Sequence, residues 1–169
     1  MKRREDIDPS LTPETDQHSI KFIADAMLGR LARWMRFLGF DTAYVPGIAD
    51  RELIKIAREQ DRAVLTRDTR LVKIKALTNC LLISSNDPFQ QLLETISSFK
   101  LTRFHLLTRC VSCNGPLLTI GDKSDVQESV PEYVFLHYDR FRKCMDCGRI
   151  YWEGSHSKKF REDMRGLLG

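Results

Sequence analysis

A chain of 169 residues, 42% of them hydrophobic, has room for one ordinary domain, or for a core domain plus a small module that needs extra help to stay folded. A large multidomain enzyme is excluded. The formal net charge of +4 suits an anionic partner, and the excess of lysine and arginine falls in two separate regions, 21–100 and 136–169. No stretch approaches the roughly 20 apolar residues that span a bilayer, and Met1-Lys2-Arg3-Arg4-Glu5-Asp6 has no apolar segment behind it, so a soluble cytoplasmic protein without membrane contact is expected.

Residues 1–20 are polar, carry Pro9 and Pro13, and lack periodicity, so they read as a mobile tail. From Lys21 onward, apolar runs alternate with amphipathic stretches. Strands are expected at Phe22 to Ala24, Thr42 to Val45, Ala63 to Thr66 and Cys80 to Ser84. Helices are expected at Met27 to Leu38, Arg51 to Glu59, Leu71 to Lys75 and Pro88 to Phe99. Gly39 fits the position that ends the first helix, and Asp87-Pro88-Phe89-Gln90 sets an N-cap, a first-turn proline and a glutamine in order to start the last. The alternation is that of an α/β domain with a mainly parallel sheet, covering 21–104, followed by a cysteine module over 105–169.

In that module Cys110-x-x-Cys113 and Cys144-x-x-Cys147 are separated by 30 residues. Each C-x-x-C turn can present two thiolates to one tetrahedral ion, and the ion replaces a core that so short a segment cannot build. Structural zinc is the expected metal; a rubredoxin-like iron site is the lesser alternative. Asn114-Gly115 and Cys147-Gly148 supply the backbone freedom such turns require. Cys80, before Leu81-Leu82-Ile83, reads as a small core residue.

In a parallel sheet with right-handed crossovers all strands end on one edge, and carboxylates collect there: Asp25 after the first strand, Asp50 after the second, Asp68 after the third, Asp87 after the fourth. Glu52 can face the same edge. Converging carboxylates repel unless hard cations such as Mg²⁺ or Mn²⁺ neutralise them, and such ions activate water toward a phosphodiester. Against this, Asp50 and Asp87 are both good helix N-caps.

Three segments carry a resemblance: Phe22-Ile23-Ala24-Asp25 through Phe40-Asp41, Leu65-Thr66-Arg67-Asp68, and Cys144-Met145-Asp146-Cys147-Gly148 through His156. Together they resemble the C-terminal RNase domain family of the mut-seven exonucleases, over about residues 21–165. The resemblance implies a PIN-like nuclease domain with an appended zinc ribbon, cleaving RNA with Mg²⁺ or Mn²⁺ held by Asp25, Asp50 and Asp68. Glu52 competes with Asp50 for the second place, and Asp87 has no firm family counterpart. PIN-like domains often pair, so a homodimer is possible.

Substrate contacts are expected from basic side chains. Leu28, Leu31, Trp34, Met35 and Leu38 share one face of the first helix, opposite Arg30, Arg33 and Arg36; Arg30 is favoured as a phosphate contact and Arg36 disfavoured. Arg67 sits inside the Thr-Arg-Asp motif. Ser155 can cap a basic helix carrying Lys158, Lys159, Arg161 and Arg165, with His156 at its start as a phosphate or base contact, while Tyr151 and Trp152 could stack on bases. The competing hypothesis is a catalytically silent adaptor that keeps the zinc ribbon for RNA or protein and uses the acids as caps.

Overall fold

The structure, a computed structural model, describes residues 19–154 together with Lys158, Phe160 and Glu162. The polar tail, Ser155, His156, Lys159, Arg161 and Arg165 lie outside the described residues.

Four strands, β1 (Lys21–Ala24), β2 (Thr42–Tyr44), β3 (Arg62–Thr66) and β4 (Cys80–Leu82), form a parallel sheet in the order β2-β1-β3-β4. Three helices connect and cover it: α1 (Gly29–Phe37), α2 (Asp50–Glu59) and α3 (Pro88–Ser98). Side chains of a strand alternate between faces, and here the alternation sorts the helices. Phe22 and Ala24 of β1 join Leu28, Leu31, Met35 and Leu38, and Leu92 of α3, while Ile23 and Val64 face Leu53 and Ala57 of α2. Leu31 and Leu65 are fully enclosed, each contributing roughly 1.5–3 kcal/mol of burial. The expected α/β class with a parallel sheet therefore holds.

Local differences have local causes. The first helix does not run evenly from Met27, because Asp25 caps a 3₁₀ turn over Ala26–Leu28 and the α-helix starts at Gly29. A Cβ at Gly29 would lie 2.8 Å from the Tyr44 hydroxyl, so glycine is what lets β2 approach the helix start. The expected Leu71 helix is a 3₁₀ turn, Leu71–Lys73, and β4 stops at Leu82. Cys80 is only half-buried, on this edge strand.

A second, antiparallel sheet follows, β5 (Leu117–Thr119), β6 (Phe141–Cys144) and β7 (Ile150–Trp152), in that order. The long gap between the cysteine pairs is folded, with a 3₁₀ segment at Lys123–Ser129 and α4 (Glu132–His137). Val126, Val130, Val134 and Phe141 give it a small core of its own. Among the described residues no helix is long and apolar enough to cross a membrane.

Candidate metal centres and nucleic-acid cleft

The four cysteines converge. Their sulfurs lie within 4.8 Å of one another, Cys110 against Cys147 at 3.7 Å and Cys113 against Cys144 at 3.4 Å. A tetrahedral ion with Zn–S bonds of about 2.3 Å needs sulfurs about 3.8 Å apart, so the thiols already stand at bonding distance for zinc. Cys110 and Cys144 are buried whereas Cys113 and Cys147 are exposed, so the centre lies at the surface on one side. Asn114 (φ 73°) and Gly148 (φ 72°) take the left-handed backbone that turns each pair, as their identities led one to expect. A Cβ on Gly115 would come within 2.4 Å of Asp146, so this glycine permits the close approach of the two turns.

The thiols also interact electrically. Burial works against the Cys110 thiolate, but the Tyr151 hydroxyl at 2.9 Å and nearby N–H groups outweigh it and hold that thiol at about 6. Burial and the neighbouring sulfurs push Cys113 up to about 12. One thiolate forms readily, and a further one needs a cation beside it. Tyr151 is thus engaged through its hydroxyl with Cys110, and Trp152 packs on Phe141 with centroids 6.5 Å apart; both rings are half-buried and line a shallow cavity with Arg140 and Arg142.

At the C-terminal edge of the parallel sheet, the pairing of Ala24 with Leu65 sets Asp25 level with Thr66. Asp25 is only 8% exposed. Its Oδ1 accepts from the Ala26 N–H at 2.6 Å, and its Oδ2 accepts from the Thr66 hydroxyl at 2.8 Å. The same hydroxyl oxygen accepts from the Asp68 N–H at 2.9 Å. One threonine, unremarked in the sequence, therefore links the two acids. Asp68 in turn carries a fork from Arg70, whose Nη2 lies 2.7 Å from Oδ2, and these hydrogen bonds hold its carboxyl below the usual carboxylate range. Arg70 was also missed; the signal was its place two residues after an aspartate, where its N–H donates to Oδ1 at 2.8 Å in an Asx-type turn.

Asp50 is not an N-cap. Ala49 holds that position, and Asp50 opens α2 with its field reaching Arg70. Glu52 shares the first turn. Asp87, by contrast, is a cap, accepting from the Gln90 N–H at 2.9 Å. Thr66 thus links Asp25 to Asp68, Asp50 reaches this pair only through its field on Arg70, and Asp87 stays with its helix. Among the described residues the four cysteines are the group drawn close enough to hold one ion.

Beside this edge, on the α1 and α3 side, lies an open cleft lined by Arg30, Arg33, Arg67, Tyr44, Asn86 and Gln91, among others. Arg36 is elsewhere. It is 3% exposed, donating from Nε to the Thr42 carbonyl and from Nη1 to those of Val111 and Ser112, so the charged face read from the helical wheel ends at Arg33. Lys158 is exposed, and Phe160 packs on Phe37 of α1 with centroids 4.3 Å apart, which seats this part of the chain against the first unit.

The Mut7-C RNAse domain model matches residues 20–164. The chain belongs to the Mut7-C RNase domain family. Membership implies a ribonuclease, and RNA as its substrate. The Mut7-C match runs across both sheets, so the cysteine cluster belongs to the same family unit as the acidic edge. No curated protein matches this Mut7-C chain.

Proposed function

We propose that this Mut7-C protein hydrolyses RNA phosphodiester bonds with Mg²⁺ or Mn²⁺ held by Asp25, Asp50 and Asp68, and that zinc at Cys110, Cys113, Cys144 and Cys147 holds a ribbon that helps bind the RNA. The observation that carries this reading is the Asp25–Thr66–Asp68 link at the ends of adjacent parallel strands. Carboxylates are hard oxygen donors, which suit Mg²⁺ or Mn²⁺ and not a thiophilic metal. When bound, such an ion supplies a polarised phosphoryl oxygen and a water acidic enough to attack.

The chain's own part is positional. Thr66 fixes one Asp25 oxygen and the Asp68 backbone, so the Asp25 carboxylate and the chain at Asp68 keep one position while the RNA arrives. Arg70 pairs with Asp68, and its largely exposed guanidinium would be at hand for the RNA backbone were that carboxylate to hold a metal ion. Arg30, Arg33 and Arg67 along the cleft supply positive charge to the strand, and exposed Lys158, with His156 and Lys159, completes the proposed contacts.

The test is direct. Purified protein is incubated with single-stranded and structured RNA, with and without Mn²⁺, beside Asp25→Asn and Asp68→Asn variants. Cleavage that needs Mn²⁺ and is lost in both variants is expected; cleavage surviving both would point to a contaminant. Full RNA binding without any cleavage would support the adaptor. Metal analysis in reducing buffer is expected to find about one zinc per chain.

A further inference from the structure

We infer that the cleft between the N-terminal ends of α1 and α3 is a seat for one phosphate group of the RNA, built on Arg67 with Arg30 and Arg33 and distinct from the acidic edge. The inference rests on the ribonuclease reading above and adds to it a fixed contact that sets where the strand lies. Four observations converge on this cleft. First, Arg67 and Asp68 are consecutive but serve opposite sides: Arg67 lines the cleft with residues of α1 and α3, while Asp68 meets Arg70 in the field of Asp50. The Thr-Arg-Asp motif therefore places a cation and a carboxylate on either side of one strand end.

Second, the Arg67 Nε is buried and has no hydrogen-bond partner among the described residues. A buried donor on a cation is costly to leave unmade, and an oxyanion is the acceptor that answers both its hydrogen and its charge. Third, the nearby acids are committed elsewhere. Glu94, whose carboxyl feels Arg67, accepts from the Ser84 N–H and hydroxyl and the Ser85 N–H, and Asp87 caps α3. Fourth, residues of two helix starts, Gly29 and Arg30 of α1 and Pro88 and Gln91 of α3, wall the cleft. Since Asp25 caps the turn leading into α1 and Asp87 caps α3, its positive charge comes from the arginines. Three arginines around one concavity suit a phosphate far better than a base.

Such a phosphate has two possible sources, a terminal 5′-phosphate or a backbone phosphate close in the strand to the bond being cut. Binding is measured without added divalent ions, by fluorescence anisotropy, with a short labelled single-stranded RNA. Three forms are compared: 5′-phosphorylated, 5′-hydroxyl, and with single internal phosphates replaced by neutral methylphosphonates. Arg67→Gln is expected to weaken binding about tenfold and to lower the slope of log affinity against log salt by about one. Arg30→Gln, at an exposed position, carries the same test should Arg67→Gln fail to fold. Arg58→Gln, exposed on α2, is the control and should change little. Loss of the 5′-phosphate that adds nothing to the Arg67→Gln defect assigns the seat to the terminus; a methylphosphonate with the same behaviour assigns it to the backbone. Wild-type affinity and salt slope in Arg67→Gln, or defects that add fully to every phosphate change, overturn the proposal. Because binding is read without cleavage, it can fail while Mn²⁺-dependent cleavage stands, and cleavage can fail while the phosphate coupling stands.

Discussion

The Arg36 guanidinium, on a helix of the parallel-sheet unit, donates to the Ser112 carbonyl at 2.8 Å, inside the turn between Cys110 and Cys113. The same side chain reaches Val111 at 3.1 Å and Thr42 at 2.8 Å, so one buried cation ties the metal turn to α1 and to β2. Around it, Asn114 donates from Nδ2 to Asp41 at 2.7 Å and accepts from the Thr42 N–H at 2.9 Å. The cysteine turn is therefore built partly out of the neighbouring unit.

Replacing Arg36 with Leu keeps much of the volume and removes three hydrogen bonds, leaving three carbonyls to be satisfied afresh. A loss of about 2–4 kcal/mol is expected, the range for breaking a buried charged hydrogen-bond network. Thermal melting would read the stability, and the rate at which a chelator extracts zinc would read the loosened turn. An unchanged extraction rate would show that the cysteines do not depend on this anchor.

Asp41 ties the same interface to pH. Burial opposes its charge, but hydrogen bonds from Arg62 at 2.6 Å and Asn114 outweigh it and hold the carboxyl below its ordinary value. A depressed folded-state pKa contributes stability above the unfolded value, about 3.9, and loses it as pH falls through the folded one. Wild-type protein should therefore lose stability from about pH 4 downward. Asp41→Asn should be less stable at pH 7 and flatter below pH 4, as followed by urea unfolding across the pH series.

Thr66→Val removes the hydroxyl between Asp25 and Asp68 at nearly constant volume. A loss of about 1–3 kcal/mol is expected from the unpaired groups it leaves, together with a fall in Mn²⁺ affinity or activity of about 10–100-fold. Thr66→Ser should restore most of both. Calorimetric titration with Mn²⁺ separates this from general damage, because a valine protein that melts lower but binds Mn²⁺ normally would rule out a positioning role.

Arg70 and a divalent ion compete for Asp68. The side chain of Arg70 is 84% exposed, so its hold on the carboxylate is weak and Arg70→Ala should tighten Mn²⁺ binding by only a few-fold at pH 7. Freed of those hydrogen bonds, Asp68 returns toward its ordinary value, so protons should begin to displace Mn²⁺ at a higher pH than in the wild type. Weaker cleavage with tighter Mn²⁺ binding would mark Arg70 as a contact to the RNA.

Much of this molecule was legible before folding was considered. Strands and helices alternate because apolar residues recur at periods of 2.0 and 3.6, and those periods follow from backbone geometry alone. The cysteine pairs were readable because two thiolates on one turn need a fixed spacing, and Asp87 declared itself a cap because Pro88 and Gln90 follow it. Carboxylates after β1 and β3 could be placed on one edge once the strands were taken as parallel, since parallel strands all end on the same side.

The contacts of Arg36, Thr66 and Arg70 were decided by the tertiary structure. Helical periodicity reports the polarity of a face, not what arrives against it, and the carbonyl that meets Arg36 comes from 76 positions away. Thr66 is one more buried strand residue until the register of β1 against β3 brings its hydroxyl to Asp25, 41 positions earlier. Sequence determined which chemistry is present; register and docking determined which groups share it, because those depend on packing between segments that no local pattern encodes.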